Sequence, residues 1–180
     1  MQYAIELFFD PETEEKLLSY PIMLAEANLT MKYLEWQTRP HITLACYNDV
    51  DEKECIKKIN QFSHKQSILP AYISSLGMFT DTKTIFASPI MTSSMYRLQR
   101  DIHEHLQDFD TTGWEWYLPD RWVPHCGIAL MGEDKEESYY KACDMILRKF
   151  EKINGKFTAI GLVKISFPVE EIFVTDLKGE

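Results

Sequence analysis

Glycine is scarce in this chain: seven residues in 180, none of them in a Walker-type loop or a G-x-G-x-x-G fingerprint. The usual glycine-built cradles for nucleotide phosphates are therefore missing. The four cysteines, Cys46, Cys55, Cys126 and Cys143, show no C-x-x-C spacing, which points to reduced thiols in a cytosolic protein. No run approaches the ~18 apolar residues of a membrane span. Residues 1–6 show no basic stretch leading into an apolar one, so no signal peptide is expected. Basic side chains are also in short supply, 19 Lys and Arg against 28 Asp and Glu, for a formal charge of −9. Affinity for a phosphate backbone comes largely from Lys and Arg. Broad nucleic-acid binding is thus disfavoured, while a small anion held in one local basic pocket is compatible with the balance.

What the chain does hold is 45% hydrophobic and 13% aromatic residues. That is enough for a buried core, and unlike a disordered or coiled-coil chain. At this length one domain is expected, and no low-complexity linker divides it. Residues 2–9 predict a strand, and Asp10-Pro11 opens a helix reaching toward Asn28, with Pro21 as a break or kink point. Further on, the pattern predicts a strand at 42–45, a helix over 51–64, strands over 68–79 and 84–90, and a helix over 92–109. A strand over 122–131, a helix over 135–150 and closing strands over 157–167 and 171–177 complete it. The acidic run from Gly132 to Glu137 reads as the solvated N-terminus of its helix. About seven strands and four helices, mixed throughout, indicate an α+β fold.

The chain also repeats itself. Arg39-Pro40-His41-Ile42-Thr43-Leu44-Ala45 is echoed 84 positions later by Val123-Pro124-His125-Cys126-Gly127-Ile128-Ala129. Each is followed by a turn, a helix with an acidic start and two strands. The last strands match as well, Thr84-Ile85-Phe86-Ala87-Ser88 with Glu171-Ile172-Phe173-Val174-Thr175. The expectation is a single bilobal domain over 1–180, built from two pseudo-symmetric halves, about 1–90 and 91–180. Each half would carry a mainly antiparallel sheet with covering helices around a central cleft.

On a strand, residues i and i+2 share a face. His41 and Thr43 then point one way and Ile42 and Leu44 into the core. In the second half His125 and Gly127 share one face, and Cys126, Ile128 and Leu130 the other. Two imidazoles facing one cleft suit paired acid–base work, one taking a proton and the other giving one. A threonine hydroxyl can donate to an anionic oxygen. The set suits in-line phosphoryl chemistry without a metal.

H-I-T-L at His41–Leu44 and H-C-G-I at His125–Ile128 resemble the paired H-x-[S/T]-hydrophobic motifs of the 2H phosphoesterase superfamily. The nearest branch is the 2′-5′ RNA ligase-like and cyclic phosphodiesterase group. The resemblance covers nearly the whole chain in length, layout and motif spacing. It implies a bilobal α+β fold, no metal or other cofactor, and action on 2′,3′-cyclic or 2′-5′ phosphodiesters of nucleotides or RNA ends. Reverse 2′-5′ ligation is implied as a companion activity. His41 and His125 would be the acid–base pair and Thr43 the phosphate-binding hydroxyl. Position 127 departs from the pattern, being Gly where the family has Ser or Thr. Its backbone N–H or a water would have to substitute, and losing one preorganised donor costs roughly 10²–10³ in rate. The alternative reading is therefore a nucleotide- or RNA-end-binding protein with weakened or no catalysis.

Other residues have bland and sharp readings side by side. Arg39 and Arg121 flank the motifs and offer charge to a phosphate, or else form structural salt bridges. Trp36, Trp122, Trp114, Trp116 and Tyr117 are stacking candidates or cleft walls, and Tyr47 a cleft-lining candidate. His103 and His105 lack i, i+4 spacing and read as a solvated helix face rather than metal ligands. His64 suits a helix C-terminus, and Cys126 the core. A protein-interaction domain with incidental histidines is the remaining rival, and it requires the two histidines to lie apart. The partner expected is a small nucleotide or RNA-end phosphodiester, with no long nucleic-acid groove and no membrane, met by a cytoplasmic monomer.

Overall fold

In the computed structural model, residues 1–131 and 136–178 are described, and Gly132 to Lys135 of the acidic run lie outside them. The described elements follow in the order β1 (Tyr3–Phe9), α1 (Pro11–Glu26), α2 (Lys32–Glu35), β2 (His41–Tyr47), α3 (Glu52–Ser63), β3 (Leu69–Phe79), β4 (Thr84–Pro89) and α4 (Ser93–His105). Two 3-10 segments, Gln107–Thr112 and Glu115–Tyr117, lead to β5 (Cys126–Leu130), α5 (Glu136–Lys149), β6 (Ile153–Lys164) and β7 (Glu170–Asp176). Side chains set where the helices begin. Asp10 accepts the Thr13 N–H at 3.1 Å with Pro11 in the first turn, and Asp51 and Thr92 cap α3 and α4 in the same way. Pro21 sits inside α1 without ending it. Residues 122–125, predicted as strand, precede the ladder instead, because Pro124 has no N–H to give it. No described helix is long and apolar enough to cross a membrane.

All seven strands join one antiparallel sheet, ordered β2-β1-β6-β3-β4-β5 with β7 against β6. The expected pair of sheets is continuous because β6 is long enough to serve both. Its residues from Phe157 to Lys164 register with β1 and those from Ile153 to Phe157 with β3. The expected match of the closing strands is also revised. β4 pairs with β5 as β1 pairs with β2, whereas β7 pairs with β6 alone. The counterpart of β4 in the strand order is thus β1.

Both terminal strands carry a β-bulge at the same place. Ile5 pairs with Ala45 and Glu6 with Thr43, leaving Leu44 as the extra residue. Ile85 pairs with Ala129 and Phe86 with Gly127, leaving Ile128 extra. One unpaired residue shifts the two-residue alternation by a step. After each bulge the faces exchange, so Ala45 and Ala129 go to the core, while Cys46 and Leu130 line the cleft. Leu130, expected with Cys126 and Ile128, is corrected accordingly.

The apolar stripes of α1, α3, α4 and α5 enter one core with Ile5, Leu7 and Phe9 of β1. The alternate β1 residues face the other way, where Phe8 joins Ala159 and Val163 in a small second cluster. The sheet therefore has a helix-covered face and a face left for the cleft.

Asp10 does more than cap. Its carboxylate also accepts the Lys156 N–H at 2.6 Å, tying the start of α1 to β6. Asp10→Ala is expected to cost about 1–2 kcal/mol, read as a lower urea midpoint with an unchanged slope.

Candidate active site

Each histidine follows a proline, and each is anchored by the same bond. His41 Nδ1 lies 2.6 Å from the Arg39 carbonyl and His125 Nδ1 2.7 Å from the Val123 carbonyl. Both carbonyls belong to residues that precede a proline and are held extended by it. A carbonyl oxygen only accepts, so Nδ1 carries the ring hydrogen and Nε2 is left with its lone pair. Both rings line one cavity of about 740 Å³. Burial lowers the pKa of each. For His41 the Arg39 carbonyl bond and Glu171 act against that shift. For His125 the Val123 carbonyl acts against it and the charge of His41 adds to it. The two imidazoles are therefore within electrostatic reach of one another.

Their surroundings differ. His41 Nε2 is 3.3 Å from Glu6 Oε1. His125 instead meets the rings of Phe79, edge-on with centroids 4.8 Å apart, and Phe86 at 5.5 Å. Thr43 and Tyr117 both line the cavity. The bulge beside Thr43 is pinned from outside. The Thr43 carbonyl accepts Trp122 Nε1–H at 2.8 Å, and the Leu44 carbonyl is met by Gln99 Nε2 at 3.3 Å and His103 Nε2 at 3.1 Å. Gly127 occupies the matching place beside His125. An added Cβ would lie 3.6 Å from Leu130 and 3.9 Å from Thr84, ordinary contact, so neither space nor backbone demands glycine there. Thr84 of β4 and Thr82 of the turn before it, bonded hydroxyl to hydroxyl at 3.0 Å, bring side-chain hydroxyls to this part of the cavity.

Arg39 and Arg121 both reach the cavity, and both are engaged. Arg39 pairs with Glu14 at 2.7 Å and Glu171 at 3.8 Å and lies over the Phe8 ring. Arg121 pairs with Glu115 beside the exposed Trp116. Trp36 lines one wall against the exposed Phe167, centroids 4.4 Å apart. Trp122 lines the cavity but is mostly buried, with Trp114, Trp116 and Tyr117 nearby on its wall. Tyr47 does not line it. The bulge turns that ring into the core beside Phe109, where its hydroxyl has no partner. His103 and His105 are half-buried rather than solvated, and meet the carbonyls of Leu44 and Lys58. His64 sits at the end of α3 and Cys126 in the core. Among the described residues no three His, Cys, Asp or Glu side chains gather as a metal-ligand set.

Sequence reasoning missed Glu6. The signal was present: a single carboxylate in the otherwise apolar or aromatic strand Tyr3–Phe9, every residue of which is buried.

A sequence model of the family described as the 2′-5′ RNA ligase superfamily matches residues 22–166. Among solved structures, the fold is similar to that of TT0787 from Thermus thermophilus, at 14% identity over 100% of both chains with a TM-score of 0.61. It is similar too to that of E. coli LigT complexed with 3′-AMP, at 12% identity over 98% of both chains with a TM-score of 0.60. At these identities the likeness is one of fold. No curated protein matches the sequence.

Both histidines are expected in the Nδ1–H tautomer and to titrate below about 6.5, the ordinary histidine value. Nitrogen-15 NMR of the free protein reads both properties. Because the unfolded chain takes up these protons first, the histidines' share of the stability is complete above that value and is lost as the pH drops toward the folded pKa values.

Proposed function

Because the chain belongs to the 2′-5′ RNA ligase superfamily, we propose that the cavity is the active site of a metal-independent 2H-type phosphodiesterase. Its substrates on this reading are 2′,3′-cyclic or 2′-5′ phosphodiesters of nucleotides or RNA ends. The observation that carries the proposal is the pair of imidazoles, each anchored through Nδ1 and each bringing Nε2 to one cavity. In hydrolysis one Nε2 takes a proton from water as its oxygen attacks phosphorus. The other gives a proton to the ribose oxygen as its bond to phosphorus breaks. A ribose hydroxyl replaces water in the ligase direction. The Thr43 hydroxyl and the Gly127 backbone donate to the non-bridging oxygens. Structures of E. coli LigT complexed with 3′-AMP, ATP and phosphate support a small nucleotide or RNA end as the ligand.

The same reading takes the chain as one domain of two related halves. The two bulges, 84 residues apart at Leu44 and Ile128, support it. On this reading β4, which pairs with β5, belongs to the second half.

Gly127 favours a second reading, a binding protein with weak or no turnover, since its place holds no hydroxyl. Calorimetry and turnover with the same cyclic nucleotide separate the two. Binding without turnover supports the second reading, and turnover restored by Gly127→Thr, whose Cβ has room, identifies the missing donor as the cause.

His41→Ala and His125→Ala are each expected to lower hydrolysis of a 2′,3′-cyclic nucleotide by roughly 10²–10⁴-fold with the fold intact. Thr43→Val should cost roughly 10²–10³-fold. Full activity in either histidine variant overturns the assignment.

A further inference from the structure

Glu6 is the only Asp, Glu, Lys or Arg among the described residues that is buried. Among those residues no cation neutralises it in a direct pair. Arg39, the nearby guanidinium, is committed to Glu14 and Glu171. What Glu6 does touch is His41 Nε2, at 3.3 Å. That nitrogen bears no hydrogen, because Nδ1 donates to the Arg39 carbonyl. A buried carboxyl beside a bare imidazole nitrogen is completed by one shared proton. The strand register makes this one-sided. Glu6 stands opposite Thr43 beside one histidine, and Phe86 stands opposite Gly127 beside the other.

We infer that Glu6 is the proton-holding partner of His41, which makes His41 the general acid and leaves His125, among phenyl rings, as the base. The inference rests on the phosphodiesterase reading for its catalytic meaning, though not for the shared proton itself. Other groups in the field of Glu6 act in both directions, and the balance favours the proton. Glu171 on β7 repels a charge there, and Arg39 favours one. Tyr33, Cys46, Tyr117 and Cys126, the remaining titratable neighbours, are all pushed upward, first by burial, and stay neutral. Burial, then Glu171, raises the Glu6 carboxyl to about 8 against the pull of Arg39.

At neutral pH Glu6 is then a carboxylic acid donating to His41 Nε2. As a water oxygen bonds to phosphorus, its proton passes to His125 Nε2. The ribose oxygen leaves with its bonding pair and takes a proton from His41 Nε2, which draws on that of Glu6. Glu6 ends as a carboxylate, and solvent returns the proton from His125 to the pair.

Two measurements on the full-length chain test this. Nitrogen-15 and carboxyl carbon-13 NMR, without substrate, should show one proton leaving the Glu6–His41 pair near pH 8 in the wild type. In Glu6→Gln that event is lost and His41 titrates only below about 6.5. With a 2′,3′-cyclic nucleotide, Glu6→Gln should lower kcat roughly 10²-fold near neutral pH, with KM little changed. The alkaline limb of the kcat profile should move down by more than one pH unit, with the acid limb fixed. No proton lost by the wild-type pair between pH 7 and 9 overturns the inference, whether or not the variant folds. An unmoved alkaline limb in folded Glu6→Gln also overturns it. Wild-type protein that shows the titration without any turnover overturns the phosphodiesterase reading and leaves the shared proton standing.

Discussion

Everything at this cleft depends on one extra residue in each of two strands. Were Leu44 and Ile128 paired in a regular ladder, the simple alternation of β2 and β5 would carry Tyr47 into the cavity and Cys46 and Leu130 out of it. Each bulge thus leaves three cleft-facing positions on its strand: the histidine, the residue two along, and Cys46 or Leu130 beyond the bulge. Beyond them the strands return apolar side chains to the helical core. A bulge interrupts the ladder locally and must find other partners for its backbone. Here those partners are Trp122, Gln99 and His103, which hold the backbone of the strand that carries His41.

The same backbone plan carries two different environments. On the β1–β2 side, a carboxyl, a hydroxyl and an ion-paired arginine surround the imidazole. On the β4–β5 side, phenyl rings and a bare glycine do. Two similar strand pairs form a polar wall and an apolar wall of one cavity. Unequal surroundings give two identical side chains different tendencies to hold a proton. The protein is acidic overall, and both arginines that reach the cavity are already paired with glutamates. Attraction for an anion must then come from neutral donors and from imidazoles more than from a free cationic patch.

Much of this was legible in the sequence. The α+β class, the order of strands and helices, and the two histidines followed from periodicity and from one repeated motif. Where reading stopped, there was a physical reason. Strand period alone assigned Leu130 to the wrong face, and Tyr47 was a cleft-lining candidate that does not line the cleft, because bulges are set by tertiary pairing and leave no two-residue signature. The solvated face assigned to His103 failed because a carbonyl displaced by the bulge lies against it. Glu6 was hidden inside a strand whose other residues asked only for burial. The closing strands were matched by similarity of side chains, while hydrogen bonding placed β4 in register with the role of β1.

The clamp on the first bulge has a consequence for the molecule as a whole. β2 is a terminal strand of the sheet, and an open edge is a template on which another chain can add a strand. On this edge the carbonyls of Thr43, Leu44 and Cys46 are taken by Trp122, by Gln99 and His103, and by the Trp114 N–H at 2.9 Å. Asn48 completes the seal by donating to the Thr112 carbonyl at 2.8 Å. The segment that carries the chain from α4 toward His125 thus also closes the flank of the strand that carries His41. It protects that strand from edge-to-edge aggregation.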